Sequence, residues 1–158
     1  MIRVGIGYDS HRFAPGRPLV LGGVRIPFEL GLAGHSDADA VAHALIDAML
    51  GAAALGNIGQ HFPDDDPAYR DADSIALLRR AHALVQEAGW RLAHADLTLI
   101  VERPRLGPHL PAMVGCLTSA LGVEAACLSI KPKTNEGMGF IGRGEGIAVI
   151  AVATLEGR

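Results

Sequence analysis

The chain has 158 residues, enough for one domain, and its composition of 49% hydrophobic and 20% charged residues supports a packed core and argues against disorder. A formal net charge of −3 and an aromatic fraction of 4% provide neither a basic patch nor stacking platforms for bases, so nucleic acid is a poor partner. Without a signal-peptide pattern or an apolar stretch of about 18 residues, the sequence predicts a cytoplasmic protein with no membrane span.

The first segment alternates as a β-strand does. Apolar side chains occupy the even positions 2–8, and the other face carries Gly5, Gly7, Asp9 and His11. Because glycine has no side chain, we expect the two glycines to leave this second face open.

The remaining elements are predicted from caps, turns and apolar periodicity. In chain order they are a hairpin of residues 19–21 and 24–26, a helix from a capping box at 36–39 to about residue 55, a helix from Ser74 to Gly89, a strand over 91–102, a helix from Pro108 or Pro111 to Gly122, a strand over 127–133 and a last strand over 146–155. This irregular alternation predicts one domain over residues 1–158. Its expected class is α+β, a two-layer, ferredoxin-like sandwich with a mixed sheet covered by helices on one face.

Two side chains on the glycine face of the first strand are suited to a metal ion. Asp9 and His11 lie two residues apart and therefore point the same way. A carboxylate and an imidazole suit Zn²⁺, and because catalytic zinc usually has three protein ligands, the third must come from elsewhere. The first predicted helix carries Asp39, His43 and Asp47 in one polar stripe. His43 is either the third ligand or part of a solvated helix face.

Two loops are rich in groups that bind cations, hydroxyls or phosphates. The acidic run 64–66 between prolines is either a cation or sugar site or an acidic surface turn. The segment 134–146 combines glycines with Arg143, and is either a phosphate-binding loop or a flexible connection. We expect His35 and His61 to line the same cleft.

Six motifs follow one another along nearly the whole chain without a large insertion. They are G-I-G-Y-D-S-H-R-F at 5–13, G-G-V-R-I-P at 22–27, H-S-D-A-D at 35–39, H-A-L-I-D-A-M-L-G-A-A-A-L-G-N-I-G at 43–59, F-P-D-D-D-P at 62–67 and G-F-I-G-R-G-E-G-I-A at 139–148. A single D-x-H is a weak signal, but this ordered set is highly specific. With it, the chain resembles the 2-C-methyl-D-erythritol 2,4-cyclodiphosphate synthases.

This resemblance implies a reaction of non-mevalonate isoprenoid synthesis. The substrate of the family is a cytidine diphosphate ester of methylerythritol that carries a 2-phosphate. That phosphate attacks the β-phosphorus of the same molecule, CMP leaves, and a cyclic diphosphate remains. A phosphorus–oxygen lyase of this kind needs no protein nucleophile, so its catalysis depends on positioning and on neutralisation of charge. The resemblance also implies a homotrimer with active sites at the subunit boundaries.

Site residues follow by position from the same resemblance. Asp9, His11 and His43 match the ligands of one Zn²⁺ per subunit, and Glu136 matches the ligand of a second cation, Mg²⁺ or Mn²⁺. The implied catalytic residues, which steady the transition state, are His35 and Thr134. The implied substrate contacts are Asp9, Ser10, His11, His35, Ser36, Asn57, Ile58, Gly59, Phe62, Pro63, Asp64, Asp65, Asp66, Val101, Arg105, Leu106, Gly107, Pro132, Lys133, Thr134, Asn135, Phe140 and Arg143.

Three positions depart from the family pattern, and two other functions stay open. Asn57 stands where the family usually has Asp, Lys133 where Thr is common, and Gly107 where a bulkier residue is found. One alternative is a zinc phosphoesterase, which would use the same ligands to activate water. The other is a trimeric nucleotide-binding module without turnover, which would not need the three predicted zinc ligands together.

Overall fold

The structure, a computed structural model, describes residues 1–158. Its strands are β1 (Ile2–Ala14), β2 (Leu19–Leu21), β3 (Val24–Ile26), β4 (Gly31–Leu32), β5 (Trp90–Ile100), β6 (Leu128–Lys133) and β7 (Gly146–Gly157). Its helices are α1 (Ala40–Ala52), α2 (Ile58–His61), α3 (Ser74–Glu87), α4 (Leu110–Leu121) and α5 (Gly139–Gly142). None of these helices is long and apolar enough to cross a membrane.

A five-stranded mixed sheet organises the molecule in the order β4-β1-β7-β5-β6. Only β5 and β6 run parallel, and the hairpin of β2 and β3 forms a separate small sheet. Helices cover one face of the large sheet, which confirms the predicted α+β class. The register aligns Asp9, Val149, Leu99 and Pro132 in one row across four strands.

Helix α1 packs directly on β1, and the two glycines of β1 make this close approach possible. A Cβ added to Gly5 would lie 2.1 Å from the carbonyl oxygen of Ala48, and one added to Gly7 would lie 1.9 Å from that of Ala44. The expectation of an open glycine face was therefore wrong, because the helix backbone fills the space that the missing side chains leave. This packing sets α1 above the strand that carries Asp9.

The apolar face of β1 is the exposed one. Ile2, Val4, Ile6 and Tyr8 are 56–71% exposed, and the neighbouring strand β7 exposes further apolar side chains beside them. We call this surface, together with Ile150 and Val152 of β7, the open apolar face. A contiguous apolar surface of this kind is typical of an interaction site.

The caps at the starts of α1 and α3 are aspartates, and the cap of α1 differs from the predicted capping box. The N-cap of α1 is Asp39, whose carboxylate accepts from the backbone N–H of Ala42 at 3.1 Å, and the helix ends at Ala52 rather than near residue 55. Ser74 is the first helical residue of α3, and Asp73 is its cap. The capping box predicted at 36–39 was wrong, because a carboxylate directly before the helix is in place to accept the free N–H groups.

Candidate functional site

Three ligand atoms converge where α1 crosses β1. The Asp9 Oδ2 atom lies 2.8 Å from His11 Nε2 and 3.2 Å from His43 Nδ1, and the two nitrogens are 3.4 Å apart. The strand alternation supplies Asp9 and His11, and the packing of α1 supplies His43. Because the His43 side chain is only 12% exposed, it is not part of a solvated helix face.

The second ring nitrogen of each histidine is also bound. His11 Nδ1 lies 2.8 Å from the carbonyl oxygen of Ala33, and His43 Nε2 lies 2.7 Å from Ser74 Oγ. Because a carbonyl oxygen only accepts, Nδ1 of His11 carries a hydrogen, so the neutral ring has its lone pair on Nε2, the nitrogen nearest Asp9. Outer hydrogen bonds of this type orient metal-binding histidines. The donor set therefore fits a divalent cation such as Zn²⁺.

Charge within the cluster favours a bound cation. Burial raises the pKa of Asp9, but hydrogen bonds from His11 and His43 outweigh this effect and hold the pKa below its ordinary value. Burial lowers the pKa of His11, but the hydrogen bond with Asp9 outweighs it and places the pKa above its ordinary value. The carboxylate therefore stays ionised, and a cation must compete with a proton for His11.

A pocket of about 310 Å³ opens beside the cluster. Its lining includes nine of the predicted site residues: Asp9, His11, His35, Ser36, His43, Ile58, Gly59, Phe62 and Asp64. Tyr69 and Leu77 line it as well, and no motif in the sequence pointed to them. His61 does not line this pocket, contrary to expectation, because its Nε2 donates to the carbonyl oxygen of Leu55 at 2.7 Å.

Neighbouring side chains hold the pocket walls. Asp47 accepts from the backbone N–H of Ile58 at 2.7 Å, and burial raises the pKa of Asp47. The Asn57 Oδ1 atom accepts from the backbone N–H of Gln60 at 3.1 Å and caps α2. Asparagine and aspartate are equally good helix caps, so Asn57 in place of the usual Asp preserves the cap of α2.

The three aspartates of the acidic run 64–66 have different surroundings. Asp64 lines the pocket, whereas Asp66 accepts from the backbone N–H of Ala68 at 2.9 Å and caps the 3₁₀ turn that follows. Asp65 is exposed, and neither it nor Pro63 lines the pocket. The run therefore combines one pocket-lining carboxylate with a turn cap and an exposed residue, and a cation or sugar contact at Asp64 stays a prediction.

A second pocket of about 460 Å³ lies at the ends of β5 and β6. Seven predicted residues line it, namely Val101, Arg105, Leu106, Gly107, Pro132, Lys133 and Thr134. The carboxylate of Glu102 accepts from the backbone N–H groups of Asn135 at 2.7 Å and Gly137 at 3.3 Å, and so shapes the loop that carries Thr134 and Glu136. No sequence pattern identified Glu102.

Within one chain, the two pockets are separate. They have no lining residue in common. Asp9 and Pro132 lie in one row of the sheet but three strand spacings apart, about 14 Å. Thr134 and Glu136, which follow Pro132, are therefore not brought to the Asp9 cluster by this chain.

The remaining predicted residues form a third region. Ser10 and Phe140 line a shallow pocket with Arg12 and His11, and this pocket shares only His11 with the first pocket. Arg143 pairs with Glu145 at 2.8 Å. Unlike the second pocket, this region borders the ligand cluster, because His11 lines it.

Fold and site together define an α+β protein with three side chains placed to hold a metal ion, with one pocket at this cluster and another at the carboxyl ends of two parallel strands. Comparison with known proteins agrees with this class. The model of the YgbB family matches residues 2–156. A protein of Symbiobacterium thermophilum named 2-C-methyl-D-erythritol 2,4-cyclodiphosphate synthase is 57% identical over 155 residues, which cover 98% of this chain and 99% of the relative.

Solved structures extend the likeness to the fold. The bifunctional IspDF of Campylobacter jejuni matches with a TM-score of 0.97 and 40% identity, over 100% of this chain and 43% of that longer one. A CDP complex of IspF from Plasmodium falciparum matches with a TM-score of 0.87 and 29% identity, over 99% and 97% of the two chains. The chain belongs to the YgbB family, whose members include the 2-C-methyl-D-erythritol 2,4-cyclodiphosphate synthases.

Proposed function

We propose that this chain converts 4-diphosphocytidyl-2-C-methyl-D-erythritol 2-phosphate to 2-C-methyl-D-erythritol 2,4-cyclodiphosphate and CMP in isoprenoid biosynthesis. An oxygen of the 2-phosphate forms a bond to the β-phosphorus, and the bond from that phosphorus to the bridging oxygen breaks, so that CMP leaves without uptake of water. In a chain of this family, the observation that carries the proposal is the convergence of Asp9, His11 and His43 beside a pocket. Two related structures with CDP bound support a cytidine nucleotide as part of the substrate.

The residues of the first pocket would hold and orient the reacting phosphates. Asp9, His11 and His43 would bind one Zn²⁺, which supplies a Lewis acid for phosphoryl oxygens. His35 lines the same pocket, and because its Nε2 lies 3.1 Å from the carbonyl oxygen of Asp66, Nδ1 is the ring nitrogen left to contact a phosphate oxygen. Phe62 and Asp64 would contact the methylerythritol part of the substrate, because they line the same pocket as the cluster.

The second pocket would bind the cytidine and the negative charge of the diphosphate. Its walls hold Arg105, Lys133 and Thr134, two cations and a hydroxyl that suit a nucleotide diphosphate. Glu136 follows on the same loop, exposed and free to bind Mg²⁺ or Mn²⁺ through its carboxylate. Neither pocket alone holds all the groups that the reaction needs.

We further propose a homotrimer in which the first pocket of one chain faces the second pocket of its neighbour. The separation of about 14 Å within a chain supports this arrangement, since a neighbour is needed to complete the site. The open apolar face supports it too, because closed rings of identical chains bury such surfaces. Ser10, Phe140 and Arg143 would then border the threefold axis. In solution, the mass should be three times the 16.5 kDa of the chain.

We assign the reaction to the cytoplasm. Cys116 and Cys127 are both free thiols, as is usual for cysteines in that reducing compartment.

A product assay in ¹⁸O-labelled water tests the reaction. We expect CMP and a cyclic diphosphate without ¹⁸O, and loss of both products in His43→Ala. Incorporation of ¹⁸O or release of inorganic phosphate would show a phosphoesterase instead. Nucleotide binding without any product would show a binding module.

A further inference from the structure

A chain of hydrogen bonds reaches His43 from the side opposite the ligand cluster. His43 Nε2 lies 2.7 Å from Ser74 Oγ, and the Ser74 hydroxyl in turn donates to Asp37 Oδ1. Ser74 is 0% exposed, so water cannot replace either bond. The three residues come from the loop before α1, from α1 itself and from the first position of α3.

The direction of these bonds follows from what each group can do. An ionised carboxylate only accepts, so the Ser74 hydroxyl donates its single hydrogen to Asp37. The oxygen of Ser74 must then accept from His43, which places the imidazole hydrogen on Nε2. The neutral ring, the form that binds a metal, therefore has its lone pair on Nδ1, the atom 3.2 Å from Asp9.

A second hydroxyl near the same nitrogen is the weaker partner. Ser36 Oγ lies 3.2 Å from His43 Nε2, compared with 2.7 Å for Ser74, and it already accepts from the backbone N–H of Ala38. One N–H makes one good hydrogen bond, and the shorter contact leads to the charged Asp37. Hydrogen bonds that end on an ion are the stronger ones.

We infer that Ser74 and Asp37 are positioning residues that set the tautomer and ring orientation of His43 for metal binding. This inference rests on the proposed metal site. It differs from a purely structural role, in which the pair would only tie α3 to the loop before α1. The backbone N–H of Ser74 already donates to Asp37 at 3.0 Å, and Asp73 caps α3 independently at 2.9 Å. The Ser74 hydroxyl is therefore dispensable for that tie.

Zinc titration against a chromogenic chelator tests the inference on the metal-free protein. Ser74→Ala should weaken zinc binding about ten- to hundredfold, the usual cost of losing an outer partner of a metal-binding histidine. Thr118→Val is the matched control, because Thr118 is a buried hydroxyl that donates to the carbonyl oxygen of Val114 at 2.7 Å on α4. This control should bind zinc as the wild type does. Melting of both metal-free variants shows that each is folded.

If Ser74→Ala does not fold, a second variant and a measurement on the wild type still test the inference. Asp37→Asn puts an NH₂ group where the hydroxyl or the backbone N–H of Ser74 now donates, so zinc binding should weaken in the same range. In the zinc-loaded wild type, long-range ¹H–¹⁵N spectra of the His43 ring should show the hydrogen on Nε2 and the metal on Nδ1.

Two kinds of failure can be told apart. If the wild type binds zinc, His43→Ala does not, and folded Ser74→Ala binds as tightly as the wild type, the positioning role is refuted and the metal site stands. A hydrogen on Nδ1 of His43 would also refute it. If the wild type itself binds no zinc, the proposed metal site fails first.

Discussion

The two pockets of the chain are built in opposite ways. The first lies between a strand and a helix that touch backbone to backbone, and its ligand atoms are part-buried and paired on both sides. The second lies on loops after β5 and β6, where Lys133, Thr134 and Glu136 are exposed and Glu136 has a positive φ of 53°. One chain thus brings together three side chains placed to hold a metal ion, whereas its second pocket stands apart from them. Rigid packing within one chain forms the first pocket, whereas the proposed trimer would complete the second with a neighbouring chain.

The largest expected effect comes from the first pocket. His43→Ala removes one of three converging ligands, so we expect most of the zinc to be lost and turnover to fall more than about a thousandfold, ~4 kcal/mol. The fold should persist, because alanine is common in α1 and fits a helix. Metal analysis together with circular dichroism checks this. Full zinc occupancy in the variant would remove His43 from the ligand set.

The next prediction distinguishes the role of Thr134 in the second pocket from that of Glu136 on the same loop. Thr134→Ala removes a donor to phosphate and should lower turnover about 100- to 1,000-fold, roughly 3 to 4 kcal/mol, at any Mg²⁺ concentration. Glu136→Gln removes a cation ligand, so added Mg²⁺ should restore part of the activity by mass action. Turnover across a Mg²⁺ titration measures both. Equal rescue of the two variants, or rescue of neither, would contradict this division.

A smaller effect follows from the protonation of the first pocket. The pKa of His11 is raised by Asp9, so in the metal-free protein His11 keeps its proton to a higher pH than an ordinary histidine. Zinc must displace that proton. Affinity should therefore fall as the pH drops through the raised pKa, by up to about tenfold per pH unit for one proton, and level off above it. Chelator competition from pH 8 to 6 tests this, and a flat profile would speak against His11 as a ligand.

The smallest expected effect concerns the family departure at the edge of the first pocket. Asn57→Asp should change CMP affinity by tenfold at most, about 1.4 kcal/mol, because either side chain caps α2 and offers an oxygen to ribose hydroxyls. Calorimetric titration with CMP measures the change. Complete loss of binding would mean that the surroundings of α2 require the amide.

Much of the fold could be predicted because its signals are local. The element order and the glycine-centred hairpin follow from alternation, caps and turns, which act over a few residues. The orientation of β1 could not, because apolar alternation normally marks the buried face. Here Gly5 and Gly7 admit a helix backbone on their side and leave Ile6 71% exposed on the other. That inversion depends on packing against α1 and on what covers the sheet.

The site residues, too, differ in whether a local sequence pattern predicts them. Asp9 and His11 could be found from strand spacing, and His43 from a polar stripe together with a family resemblance. Ser74 and Glu102 could not, because each acts through a hydrogen bond to a segment more than thirty residues away: 37 residues separate Ser74 from Asp37, and 33 separate Glu102 from Asn135. No short motif carries such a pairing, and only the folded chain brings its partners together.

Complementation between two inactive variants tests most directly whether the site is shared between chains. His43→Ala and Thr134→Ala damage different pockets. If co-expressed chains mix at random, roughly a quarter of the sites should be intact. Each intact site combines the first pocket of a Thr134→Ala chain with the second pocket of a neighbouring His43→Ala chain. Turnover of the mixed protein should then reach about a quarter of the wild-type value, far above either variant alone. If the mixture shows only the average of the two separate variants, each chain completes its own site, and the shared-site account is wrong.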